Sequence, residues 1–128
     1  MAATASGYTT VLRPKVAGDA AVTAKTTDAT LTAAEYATNI TNTGASGTAV
    51  LTLLAAASAA GLALHVELTV AQIVRLLPQT GEKIFLGGSG VASKYLNIAA
   101  VIGNCVDLYC DGTQYIVENR CGVVTKEA

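Results

Sequence analysis

The stretch Leu62-Ala63-Leu64-His65-Val66-Glu67-Leu68-Thr69-Val70 carries the clearest periodicity in the 128-residue chain. Leu62, Leu64, Val66, Leu68 and Val70 fall on one side, and Ala63, His65, Glu67 and Thr69 on the other. Successive side chains of a strand point to opposite faces, so this pattern predicts a β-strand with one face in a core. Residues 48–53 alternate in the same way, with Ala49, Leu51 and Leu53 together. Residues 36–41 are β-compatible and run into the turn-rich cluster Asn42-Thr43-Gly44-Ala45-Ser46-Gly47. The Ala-rich segment 54–60 ends at Gly61, which predicts a short helical connector with glycine in the left-handed cap. Short strands follow over 73–77, 83–86, 94–101, 105–110, 113–118 and 123–125, divided by Gly-, Pro- and Asn-rich turns. Seven to nine short strands spaced about ten residues apart predict an all-β fold: a small antiparallel β-sandwich or barrel with an extended N-terminal arm.

Asp111-Gly112 is the strongest hairpin signal. A two-residue turn there predicts that Val106 faces Val117 and Leu108 faces Tyr115 on the core side. On the other side Asp107 would face Ile116, Tyr109 would face Gln114, and Cys105 would face Glu118. Tyr109 and Ile116 share that mixed face, and the reading assigns them to an oligomer interface.

Charged residues make up only 13% of the chain and hydrophobic residues 52%, with a formal net charge of −1. Ala, Thr and Gly dominate, at 24, 17 and 12 residues. This composition excludes a disordered tail and a coiled coil. Eight Lys+Arg against nine Asp+Glu argue against a nucleic-acid partner. The apolar centre of the longest uncharged run, 49–64, is mostly Ala and too short for a membrane span, so no membrane partner is expected. The first fifteen residues carry Arg13 and Lys15 and no apolar stretch, so no signal peptide is expected. The Asn39-Ile40-Thr41 sequon therefore has no role in this reading, and the three cysteines are expected as free thiols.

Residues 1–30 show no sustained period and are read as an extended arm; residues 31–128 form the β-module. Val11-Leu12 before Arg13-Pro14-Lys15 suits an extended piece, because the residue before proline is held out of the helical region.

Catalytic chemistry has few candidates. A Ser-His-Asp arrangement would have to use His65, the single histidine, with Asp19, Asp28, Asp107 or Asp111 as its orienting group. No GxSxG elbow accompanies it, and His65 reads as a surface residue on a strand. Gly88-Ser89-Gly90 lacks the spacing of a phosphate loop and reads as an inter-strand loop. Cys105 and Cys110 lie on opposite faces of one strand, and the 111–112 turn would put Cys121 opposite Ile102. No intrachain disulfide, metal site, cofactor or small-molecule substrate is expected, and the chain is read as a non-enzyme.

The run from Asn39 through Gly44-Ala45-Ser46-Gly47 to Leu53, the Ala-rich connector to Gly61, and the run Val106-Asp107-Leu108-Tyr109-Cys110-Asp111-Gly112-Thr113-Gln114-Tyr115-Ile116-Val117 resemble a small β-module of tailed-bacteriophage virion proteins. The resemblance covers roughly 39–125; the chain lacks the Trp common near Tyr115 and has Leu54 where a Pro is common. Such modules occur in capsid decoration (cement) proteins, head fibres and tail-fibre pieces, commonly as trimers. The resemblance implies a homotrimer on the capsid surface that reinforces the shell across neighbouring major capsid subunits, made in the host cytoplasm. In this expectation the arm grips the capsid through Tyr8, Val11, Leu12, Arg13, Pro14 and Lys15. The alternatives are a head- or tail-fibre component (an adhesin) and a carbohydrate-binding β-module, the latter disfavoured by six aromatic residues without a Trp.

Overall fold

The computed structural model describes residues 21–127. Eleven short strands among these residues form two mixed sheets, with two short 3₁₀ helices. The strands are β1 (Val22–Ala24), β2 (Ala29–Thr30), β3 (Asn39–Thr41), β4 (Ala49–Thr52), β5 (Ala63–Glu67), β6 (Val74–Leu77), β7 (Ile84–Phe85), β8 (Leu96–Ile98), β9 (Cys105–Cys110), β10 (Tyr115–Cys121) and β11 (Val124–Lys126). One sheet has the order β1-β3-β5-β9-β10-β7, the other β11-β8-β6-β4-β2.

Consecutive strands alternate between the sheets, and among the described connections only β9–β10 stays within one. The first six strands are thus three turns of a coil. β1, β3 and β5 stack in parallel in one sheet, and β2, β4 and β6 stack in parallel in the other. β8, β9 and β11 then add antiparallel pairs. The expectation of a purely antiparallel fold of seven to nine strands is corrected on both counts. Its ten-residue spacing was right, but a chain that crosses to the other sheet after each strand pairs with the strand after next, which runs the same way.

The coil explains its own connectors. Leu31 and Leu53 stack at equivalent points, both buried, and their N–H groups donate to Thr52 and Leu77 carbonyls of the next turn. Each of the first two turns returns through a 3₁₀ helix, Ala33–Ala37 and Ala56–Ser58. The second is the connector expected before Gly61, which has φ +80°. Side chains of neighbouring turns serve these helices. Glu82 accepts the Ala56 N–H, and Gln79 donates to the Leu53 carbonyl. Residues 21–30, grouped with the arm from sequence, pair as the edge strands β1 and β2. They are too short to show an alternation of their own. Tyr8, Val11, Leu12, Arg13, Pro14 and Lys15 lie outside the described residues.

Both sheets feed one buried cluster, with Ile40, Leu64, Val66, Val106 and Leu108 from the larger and Leu51, Leu76, Leu96 and Ile98 from the smaller. Buried Asn42 closes the corner after β5: its Oδ1 accepts the Thr69 and Val70 N–H groups, and its Nδ2 donates to the Val70 and Gln72 carbonyls. A buried amide is tolerated when every polar atom has a partner. Asn104 takes the matching place before β9, and its Oδ1 would lie 1.9 Å from a Cβ at position 122. Only glycine fits there, where φ is +77°.

A hydroxyl ring bridges the coil and the β9–β10 hairpin. Tyr115 donates to the Leu54 carbonyl at 2.9 Å, and the Leu54 N–H donates to the Tyr36 hydroxyl at 3.0 Å. The Tyr36–Tyr115 hydroxyl contact of 2.6 Å must then run from Tyr36 to Tyr115, closing the circuit. Burial pushes both phenols above their ordinary value of 10.0, Tyr115 further because Tyr36 lies beside it. A phenol that holds its proton longer in the folded chain adds stability that is lost as pH rises past the unfolded value. Tyr115→Phe is expected to cost about 1–3 kcal/mol in chemical denaturation at neutral pH, since it strands a carbonyl and a hydroxyl. Stability of the native chain should fall above a pH of about 10, and less steeply in a Tyr36→Phe/Tyr115→Phe double variant.

Candidate functional site: the outer face of the six-stranded sheet

The β9–β10 turn sets the geometry of this face. Asp111 Oδ1 accepts the Thr113 and Gln114 N–H groups at 2.9 and 3.0 Å, and the Asp111 N–H donates to the Gln114 carbonyl. The two central turn residues are therefore Gly112, at φ +98°, and Thr113, not Asp111 and Gly112. An aspartate that bonds the backbone two and three residues on belongs at the head of a turn. The partners slide by two residues, so Tyr109 faces Ile116 and Leu108 faces Val117. A bulge between Val117 and Asn119 then shifts the rest by one more, bringing Asn119 opposite Asp107 and Cys121 opposite Cys105. The expected pairs Val106–Val117, Leu108–Tyr115, Asp107–Ile116, Tyr109–Gln114 and Cys105–Glu118 are corrected accordingly. The face on which each β9 residue lies is unchanged, because a slide of two preserves it.

Three rows of side chains cross the outer face. The first is apolar: Ala63, Tyr109, Ile116 and Phe85 lie side by side across β5, β9, β10 and β7, all half-buried. Tyr109 and Ile116, assigned to one face from sequence, are direct cross-strand neighbours within it. Phe85 and Ala63 were missed as members of the row, because no hairpin links β7 to β10 or β5 to β9.

The second row is polar. His65 Nδ1 lies 2.6 Å from Asp107 Oδ1, and its Nε2 lies 3.3 Å from Glu67 Oε1. A carboxylate only accepts, so Nδ1 carries the hydrogen toward Asp107. His65 is 5% exposed, which corrects the expectation of a surface histidine: its ring is buried, with a carboxylate at each nitrogen. The His–Asp pair has the geometry of a base and its orienting group, and Nε2 lies against the Glu67 carboxylate. Asp28 is engaged elsewhere, accepting the Val50 N–H, and Asp111 holds its turn. Asp19 lies outside the described residues.

The third row holds Glu67, Cys105 and Cys121. Burial pushes the Cys105 thiol up from 9.0 to about 12, helped by contact with Cys121 and by the negative charge of Asp107 and Glu67. Cys110 points the other way, into the core, where its thiol donates to the Ala56 carbonyl at 3.3 Å. No group of three or more metal-ligating side chains occurs among the described residues.

Gly87-Gly88-Ser89-Gly90 forms a tight turn closed by a Leu86–Ser89 bridge, with both leading glycines at positive φ. Lys126 donates to the Ser89 carbonyl and hydroxyl. No helix among the described residues is long and apolar enough to cross a membrane. Comparison of the chain with protein-family models, curated proteins and solved structures gave no match.

His65→Ala is expected to lower thermal stability, at a cost of about 1–3 kcal/mol for the hydrogen bonds and packing removed. His65→Gln, which keeps a donor in reach of Asp107, should recover part of it in the same thermal melts.

Proposed function

We propose that the chain is a structural, non-catalytic virion protein that decorates and reinforces a phage capsid as a homotrimer. The observation that carries this reading is the apolar row Ala63–Tyr109–Ile116–Phe85 on an outward sheet face. A solvated face would alternate apolar-in and polar-out, and this row does not. The polar groups beside it are already engaged with one another, so the row can be covered without stranding a charge. Low overall charge and the resemblance of 39–125 to virion β-modules support the same reading.

In this reading the two sheets close face to face as a sandwich around their shared core. The Tyr109–Ile116 row packs against neighbouring copies, and Tyr8, Val11, Leu12, Arg13, Pro14 and Lys15 contact the major capsid subunit. Three copies multiply weak arm contacts through effective concentration. β1 begins at Val22 and the Ala21 carbonyl accepts the Asn39 N–H, so the deletion is drawn to end at residue 20. Deletion of residues 1–20 should leave a trimer in sedimentation equilibrium and abolish binding to shells of the major capsid subunit encoded in the same genome. Ile116→Lys should yield a folded monomer. A truncated chain that still coats shells, or a monomeric native chain, overturns the reading.

A further inference from the structure

We propose that Cys105 and Cys121 form a latent disulfide site, closed by exchange with a small-molecule disulfide such as oxidised glutathione. The two residues are direct cross-strand partners in an antiparallel pair. Either kind of antiparallel pair brings Cα atoms to about 4.5–5.5 Å. A disulfide spans Cα separations of about 4.4–6.8 Å, so the backbone need not move to close it. The bulge after Val117 creates this pairing: without it Cys121 would face Asn104 and point to the other side of the sheet. Both thiols are free, and they are in side-chain contact.

The pair is asymmetric. Cys121 is exposed at the end of β10, whereas Cys105 is buried between Cys121 and Glu67. Cys121 is therefore the attacking thiol. Its thiolate displaces one glutathione thiolate and forms a mixed disulfide with the other half. Cys105 then gives up its proton, attacks the Cys121 sulfur and expels the second glutathione. The protein loses two electrons and two protons, and one glutathione disulfide becomes two thiols. Cys110 cannot take part, since it lies on the opposite face with its thiol bonded in the core.

The site stands independently of the virion reading. The test is incubation of the folded native chain with oxidised glutathione, followed by intact mass and peptide mapping under non-reducing conditions. The expected product has lost the mass of two hydrogens, carries a 105–121 linkage, and reverts with dithiothreitol. Cys121→Ser, which changes an exposed position, should not form it, and Cys105→Ser should stop at the Cys121–glutathione adduct. A persistent glutathione adduct on the native chain, disulfide-linked dimers through Cys121, or no reaction would overturn the proposal.

Discussion

Every peptide group inside a protein needs a hydrogen-bond partner, and in this chain the partner is almost never the neighbouring strand in sequence. Because the backbone crosses to the opposite sheet after each of the first six strands, β1 depends on β3, β3 on β5, β2 on β4 and β4 on β6. The third turn of the coil carries the most weight. β5 pairs in parallel with β3 on one side and antiparallel with β9 on the other, and β6 holds the same position between β4 and β8. That double duty explains why residues 62–70 alternate so cleanly. A strand flanked on both sides must present one unbroken apolar face, whereas edge strands β1 and β2 can be short and irregular.

The positions of β3 to β11, the 3₁₀ connector before Gly61 and the core residues Leu64, Val66, Leu68, Val106 and Leu108 were legible because they follow from local periodicity, whereas β1 and β2 were not. Topology was not, since alternation says which face is buried and nothing about which strand lies alongside. One signal could have exposed the coil. The register sets Thr30-Leu31-Thr32-Ala33-Ala34 upon Thr52-Leu53-Leu54-Ala55-Ala56, a repeated Thr-Leu-x-Ala-Ala that marks where each turn leaves one sheet and returns through a 3₁₀ helix.

The outer face shows the same division. Tyr109 and Ile116 could be placed together because face membership survives an even slide of register. The engagement of His65 could not be read, because its partner Asp107 is 42 residues away in sequence. The Cys105–Cys121 pairing was hidden by one extra residue in β10. A bulge inserts a parity change that no hairpin rule anticipates, so the residues beyond it all acquire new partners.

The distribution of polar groups bears on what such a fold can do. Among the described residues the buried polar side chains, Thr41, Asn42, Asn104 and His65, all bond to the chain itself, and the Lys25–Glu35 ion pair joins elements of the coil. Charge is scarce and largely committed to internal closure. Beside the exposed charges such as Lys83, Glu118 and Arg120, the outward surface carries the half-buried Ala63–Tyr109–Ile116–Phe85 row, and Val101, Ile102 and Val123 exposed at the loops around β11. Covering one large apolar side chain contributes about 1.5–3 kcal/mol. Bringing two proteins together costs roughly 4–15 kcal/mol in lost freedom. A single row therefore sits near break-even, and association of this chain would draw on several such surfaces at once, which a closed ring of copies provides and a pairwise contact does not.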